Sequence, residues 1–453
     1  NSLTLLDGRL KVDEFNSQIL FKDGLIRTKG KGLIGGELFQ LSLNPKEWIN
    51  EEDSRLRVKL SHLESSIDAF ISKFSSDEWK SILQSNDFYA DVTLLKDESG
   101  KYKVNLRDRS YYINIEPGLK NNLPSLLSDF NNGQKWIIIS QYKLMELFGY
   151  EIKSNLISSG FDCSYITLPN GEAAKSINEY NRAISQMVDL GCDRKTCILS
   201  LGGGVVGDVS GFIASSFMRG IKYFQIPTTL LSMVDSSIGG KTGINIDKGK
   251  NLIGAIYQPK GVFIDQNFLA TLSNEEVISG LGEIIKYGAI LDKEFFEKIS
   301  LWIQDIPAFP FSEAIENCCK LKADIVSKDE FDNGIRGILN FGHTIGHALE
   351  LKFGFNKLRH GEAVAFGMLC AGYVSFKLKK LDEKQFNILE KLIRTLPLPK
   401  LKKINSEELL ALIKRDKKFV KGKLKFITLN KIGMATVNQD VDNLILKESF
   451  KLL

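Results

Sequence analysis

Residues 200–258 read SLGGGVVGDVSGFIASSFMRGIKYFQIPTTLLSMVDSSIGGKTGINIDKGKNLIGAIYQ. An apolar, β-like run over 196–201 opens into Gly202, Gly203 and Gly204 and then into a helical pattern over 206–218. Glycines at a strand-to-helix turn let the backbone approach a pyrophosphate, and the free N–H groups and dipole of the helix start attract its charge. Gly202, Gly204 and Gly207 fit G-x-G-x-x-G. An ordinary dinucleotide fold adds an acid about 20 residues on, whereas residues 222–229 offer only Lys-Tyr-Phe-Gln-Ile-Pro-Thr-Thr. Gly240-Lys241-Thr242 resembles the end of a P-loop, but Asp235 stands where its first glycine belongs, which disfavours a nucleoside triphosphatase.

Working outward, strands are expected at 111–116, 135–140, 163–168 and 196–201, with helices at 141–158 and 176–190 between them. Such alternation predicts a parallel sheet covered by helices, with the ligand at the carboxyl ends of the strands. After Leu272 the period becomes helical. Ser273 with Glu276 suggests a capping box, Asp382 with Gln385 and Ser406 with Glu407 and Glu408 mark further starts, and β-like runs at 424–429 and 434–437 close the chain. The expected fold class is α/β: a Rossmann-like parallel-sheet domain at 96–272, then a mainly helical domain at 273–453. Residues 1–95 remain unassigned, with β-like character over 18–43 and helical spacing over 54–84.

A net charge of +5 on 453 residues gives no reason to expect nucleic acid or an anionic membrane as partner. No apolar run approaches the ~20 residues of a membrane span, and the N-terminal region has acids where a transit peptide has none, so a cytoplasmic location is expected. The six cysteines lack C-x-x-C spacing and read as free thiols. Histidine is scarcer, and three of the four, His343, His347 and His360, cluster in one region. Glu283 and Lys286, at i and i+3, share a helix face, as do His343 and His347 at i and i+4. Two or three imidazoles plus a carboxylate suit a catalytic zinc ion. Spacing alone leaves open which histidines are ligands, and Thr344 replaces the glutamate a metalloprotease would need.

GGGVVGD at 202–208, Arg219-Gly220, PTTLLSMVDSSIGGKTGIN at 227–245, Lys250-Asn251 and Gln258-Pro259 closely resemble the 3-dehydroquinate synthase family, and the resemblance spans about 102–437. It implies Glu283, His343 and His360 as ligands of Zn2+ (or Co2+) and His347 as the acid–base residue. It implies NAD as cofactor, held by Asn170, Gly171, Glu172, Lys175, Gly203, Gly204, Val205, Val206, Gly207, Asp208, Thr228, Thr229, Lys241, Lys250, Phe268, Leu269, Ala270 and Thr271. A phosphorylated sugar acid is the implied substrate, its carboxylate facing Arg336 and Lys322. Its phosphate would lie among Lys241, Asn251, Lys286, Asn340, His347 and a lysine of the Lys417–Lys418 pair, with Asp235 also in the site. Arg219 matches an arginine that enters a neighbouring subunit, which implies a homodimer. Two positions depart from the family pattern: Ser140-Gln141, where Thr then Asp or Asn is usual near the adenosine ribose, and Asp332, where Glu is usual.

The implied activity is conversion of 3-deoxy-D-arabino-heptulosonate 7-phosphate to 3-dehydroquinate and phosphate. A sister sugar-phosphate cyclase would share the scaffold but has no need of the Lys322–Arg336 carboxylate pocket. A metal-dependent NAD alcohol dehydrogenase of the glycerol dehydrogenase type would release NADH and needs no dense anion site.

Overall fold

The computed structural model describes strands within residues 1–91 and the chain from 101 to 453, apart from 247–248, 355–356, 403, 416–418, 421–422, 425 and 439–440; side chains are described from 101 on, apart also from 415–425. The chain forms two compact units, Asn1–Lys103 and Val104–Leu453.

In the first unit, strands Leu3–Leu5, Leu10–Lys22, Leu25–Ile34, Glu37–Leu43, Arg55–His62, Ser66–Ser72 and Tyr89–Asp91 form one antiparallel sheet in chain order. This corrects the helix expected over 54–84 where it falls on Arg55–His62 and Ser66–Ser72; residues 73–84 lie outside the described residues. Leu56, Val58 and Leu60 alternate along one strand and Ile67, Ala69 and Ile71 along the next, and the register sets Leu56 opposite Ile71 and Leu60 opposite Ile67. A period of two that satisfies cross-strand partners prevails over the helical spacing also present.

The second unit contains strands β1 (Tyr111–Ile115), β2 (Lys135–Gln141), β3 (Asp162–Leu168), β4 (Cys197–Gly202), β5 (Lys222–Pro227), the hairpin β6 (Lys241–Ile246) and β7 (Gly249–Ile256), and β8 (Gly261–Ile264). Apart from the antiparallel hairpin these are mutually parallel, in the order β3-β2-β4-β5-β8-β1. Helices α1 (Ile177–Asp189) and α2 (Gly204–Ser216) pack on this sheet. Their contact is an apolar core of Ile137, Ile139, Ile198, Val209, Ile213 and Ile244, each essentially fully buried.

Four helices carry the rest of the site: α3 (Asn274–Leu291), α4 (Phe311–Lys328), α5 (His343–Phe353) and α6 (His360–Lys377). Ser273 caps α3 in extended conformation, but the expected capping box does not form. The Glu276 carboxylate instead accepts from Arg359 Nε at 2.7 Å, a charge-assisted bond that ties α3 to the start of α6. Asp382 caps its helix through the Gln385 N–H as expected, whereas Asn405, one residue before Ser406, supplies the carboxamide that caps the helix at 406.

Helices α3, α5 and α6 meet backbone to backbone. A Cβ on Gly361 would stand 1.7 Å from Ser279 O, on Gly282 2.3 Å from Gly361 O, and on Gly367 1.9 Å from Gly342 O. No flexible side chain can yield at these crossings. Gly361→Ala is therefore expected to destabilise the unit by about 1–3 kcal/mol, the range for overpacking a filled interior. Equilibrium urea unfolding checks this, and an unchanged midpoint would contradict it.

Candidate functional site

The glycine turn is built for close approach. Gly203 caps α2, and a Cβ there would meet Thr229 at 3.0 Å; on Gly204 it would meet Ser236 Oγ at 2.9 Å, and on Gly207 Gln225 Oε1 at 2.7 Å. In front of the turn lies a cavity of about 700 Å3, lined by Asn170, Gly171, Glu172, Gly203, Gly204, Val205, Thr228, Thr229, Lys250 and Thr271, and, at its other side, by Glu350, Arg359 and His360. The cavity thus joins the carboxyl ends of the strands to the helical part of the unit.

Several of the expected cofactor residues bond to one another. Lys175 Nζ bonds Asp208 Oδ2 and Asn251 Oδ1, both at 2.5 Å, while Lys250 and Asn245 converge on Glu172 Oε1 at 3.3 and 2.9 Å. Burial raises the Asp208 carboxyl, with Lys175 opposing it. Val206 is fully buried beneath Gly202, and Phe268 is buried in edge contact with Phe148 in the turn that also carries Leu269 and Ala270. Asn251, expected at the phosphate, here supports Lys175. At the departure Ser140-Gln141, Ser140 is buried and donates to Leu201 O at 2.6 Å, while Gln141 reaches the cavity and donates to Gly171 O at 3.0 Å.

Opposite, Glu283 is fully buried on α3, with Oε1 3.6 Å from His343 Nε2 and 3.5 Å from His360 Nε2. This Oε1 accepts no hydrogen bond. His343 Nδ1 lies 3.2 Å from Phe341 O and His360 Nδ1 3.5 Å from Glu350 Oε1, so both rings turn Nε2 toward the same carboxylate oxygen. A buried carboxylate oxygen without a donor, facing two imidazole nitrogens, fits a divalent cation. The atoms of Glu283, His343 and His360 also lie close enough together to share one ion. Burial lowers the proton affinity of His360, but Glu283 and Glu350 outweigh it and raise the pKa to about 10. His347 stacks loosely beside both, with ring centroids 5.5 Å from His343 and 5.9 Å from His360.

Cations continue from the Glu283 cluster through Asp235. Lys286, one turn beyond Glu283 and fully buried, ion-pairs with it and lies 3.7 Å from Asp235 Oδ1. Lys322 on α4 bonds Asp235 through Oδ1 at 2.9 Å and the backbone carbonyl at 2.7 Å, and Tyr287 Oη donates to Oδ1 at 2.5 Å. Burial alone would raise the Asp235 carboxyl; Lys322, Lys286 and Tyr287 outweigh it and hold it well below the usual range. Arg336 is buried and donates to Glu330 O at 2.6 Å and Gly239 O at 2.9 Å. Asn340 donates to Gly337 O, and Lys241 pairs with Asp332. Arg219 is exposed at the end of α2, where Met218 and Arg219 both take positive φ, 49° and 68°. Lys417 and Lys418 lie outside the described residues.

Sequence reasoning missed Glu350 and Tyr287. Glu350 follows His343 by seven residues and so shares its helix face, a spacing that could have flagged it. Tyr287 adjoins Lys286, and nothing in its spacing points toward Asp235.

A glycine-lined strand-to-helix turn facing a cavity, a three-residue cluster able to hold a metal ion and a row of buried cations share one scaffold of parallel sheet and helices. Residues 165–279 match the model of the 3-dehydroquinate synthase N-terminal domain and residues 280–419 that of its C-terminal domain. The chain is 42% identical over 354 residues to the 3-dehydroquinate synthase of Colwellia psychrerythraea, an alignment that covers 76% of this chain and 98% of the relative. The chain belongs to the 3-dehydroquinate synthase family. Among solved structures, the 2-epi-5-epi-valiolone synthase of Streptomyces hygroscopicus subsp. jinggangensis 5008 with NAD+ and Zn2+ superposes with a TM-score of 0.70 at 26% identity, covering 77% of this chain and 98% of that one. A 2-deoxy-scyllo-inosose synthase complexed with carbaglucose-6-phosphate, NAD+ and Co2+ shares the fold with the same TM-score and coverage at 24% identity.

Burial, offset in part by Asp235 and reinforced by Arg336, pulls the Lys322 ammonium down to about 8. A cation that binds a substrate anion is charged below its pKa and lost above it, so kcat/KM should fall as pH rises through about 8. Lys322→Arg, charged throughout, should move that limb upward. A limb unmoved in this variant would assign the titration to another group.

Proposed function

We propose that the chain is a 3-dehydroquinate synthase, converting 3-deoxy-D-arabino-heptulosonate 7-phosphate to 3-dehydroquinate and inorganic phosphate, with NAD and Zn2+ or Co2+ as resident cofactors. The observation that carries this reading is the placement of Glu283, His343 and His360 between the dinucleotide cavity and the buried cations Lys286, Lys322 and Arg336. A simple alcohol dehydrogenase has no use for that third group. The family relatives, about 40% identical over 98% of their own length, support the same choice.

When bound, NAD and the metal supply transient oxidation of a ring hydroxyl and its polarisation. The chain's own residues do the rest. Glu283, His343 and His360 would hold the cation, and the turn at 203–207 would offer its backbone N–H groups to the cofactor's pyrophosphate. Arg336 can exchange its two carbonyl partners for a substrate carboxylate, which accepts bidentately, while Lys322 adds a point charge. Lys286, Lys241, Asn340 and His347 surround the phosphate, with a lysine of the 417–418 pair. His347, half-buried beside the metal ligands, moves the proton when the neighbouring carbon is deprotonated. Enclosure holds the open-chain intermediate until it recloses. Residues 96–272 form the NAD half and 273–453 the metal and substrate half. The left-handed backbone at Met218 and Arg219 serves to extend Arg219 into a second subunit's site, which makes the enzyme a homodimer. Its free, buried cysteines suit a reducing cytoplasm.

Because the cofactor returns to its starting state each turnover, many equivalents of dehydroquinate and phosphate should form from substoichiometric NAD with no lasting rise in NADH absorbance. Accumulation of NADH one for one with product would sink the synthase reading and leave an alcohol dehydrogenase.

A further inference from the structure

Two carboxylates flank His360. Glu283 Oε1 faces its Nε2 at 3.5 Å and Glu350 Oε1 faces its Nδ1 at 3.5 Å. Glu350 projects from α5, two turns beyond His343, and is itself 5% exposed. His343 has the same arrangement with a different acceptor, its Nδ1 3.2 Å from Phe341 O. An imidazole that donates from Nδ1 presents a lone pair at Nε2, and both lone pairs then point at Glu283 Oε1. His360 needs such an anchor more than His343 does. It is the first residue of α6, and its ring stands at the cavity rim, 31% exposed, against 11% for His343.

The same side chains permit a rival arrangement, since His347, Glu350 and His360 also lie close enough together to hold an ion. That set would make Glu350 a ligand and draw His347 away from proton transfer. It would also leave Glu283 Oε1 buried with no cation of its own, Lys286 being paired with the other oxygen, and with only the two imidazole Nε2 atoms facing it, an unfavourable setting for a buried carboxylate oxygen. The set built on Glu283 leaves no such orphan.

Resting on the metal assignment above, we propose that Glu350 is a positioning residue: it accepts from His360 Nδ1–H and so aims His360 Nε2 at the ion held by Glu283 and His343, without binding the ion itself. The test uses the full metal-free chain with Co2+ as probe, its affinity measured by chelator competition and its ligand set by the visible absorption of the bound ion. Glu350→Ala should weaken Co2+ binding by about 10–100-fold, the usual loss when the outer partner of a metal-bound histidine is removed. The spectrum should stay that of the wild type, because all three ligands remain. Glu350→Gln, isosteric and still able to accept through its amide oxygen, should recover most of the affinity and guards against a folding defect in the alanine variant. Glu283→Ala should remove both the high-affinity site and its spectrum.

Unchanged affinity in Glu350→Ala, or a glutamine variant as weak as the alanine one, would overturn the positioning role. A changed Co2+ spectrum in Glu350→Ala, accompanied by the same change in His347→Ala, would instead make Glu350 a ligand. Retention of both affinity and spectrum in Glu283→Ala marks failure of the underlying metal assignment, an outcome separate from the other two.

Discussion

The site depends on three helices touching without side chains between them. Glycines at 282, 342, 361 and 367 put the backbones of α3, α5 and α6 in direct contact. Only at that separation do the short reach of Glu283 and the two imidazoles bring their atoms within bonding range of a single ion. Larger residues at the crossings would push the helices apart by a fraction of an ångström to ångströms, and a metal site tolerates little of that. Gly282 and Gly367 lie inside helices, where glycine costs roughly 1 kcal/mol each relative to alanine. The dense packing and buried bonds between the helices offset that cost.

Charge is organised around the same crossings. Lys286 lies between the buried Glu283 and the half-buried Asp235, and Lys322 and Tyr287 complete the shell of Asp235. A buried ion pair is poor stabilisation by itself, because desolvation consumes most of the Coulombic gain. Its use here is positional. Lys286 lies within reach of both Glu283 and Asp235, and these two acids hold it charged although burial opposes that. The fold itself therefore fixes the ammonium in place, which is what preorganised electrostatics requires.

Much of this was legible in the sequence because the motifs are local. The glycine turn, Glu283 with Lys286, and His343 with His347 each occupy one turn of one element, so spacing alone places them on a face. What spacing could not give is convergence between elements. Asn251 is adjacent in sequence to Lys250, yet its side chain turns to Lys175 on another segment, and Glu276 leaves its own helix cap for Arg359. In Arg55–His62 and Ser66–Ser72 two periods coexist, and the choice between them rests on whether strand partners exist elsewhere in the chain. No local pattern encodes that.

The departure at Asp332 shows how such a position can be accommodated. Aspartate is one methylene shorter than glutamate, yet Asp332 still pairs with Lys241. Its backbone takes φ +58°, an unfavourable region for a residue with a Cβ, though aspartate is among the better tolerated there. The loop that holds it is pinned at both shoulders. Asp329 accepts from the N–H groups of Asn333, Gly334 and Arg336 at 2.7–3.0 Å, and Glu330 is gripped by Arg109 in a two-pronged pair and by Gln258. Between neighbours fixed on either side, Asp332 takes this left-handed conformation and its carboxylate meets Lys241 on the hairpin, so a carboxylate–lysine pair forms there without the extra methylene.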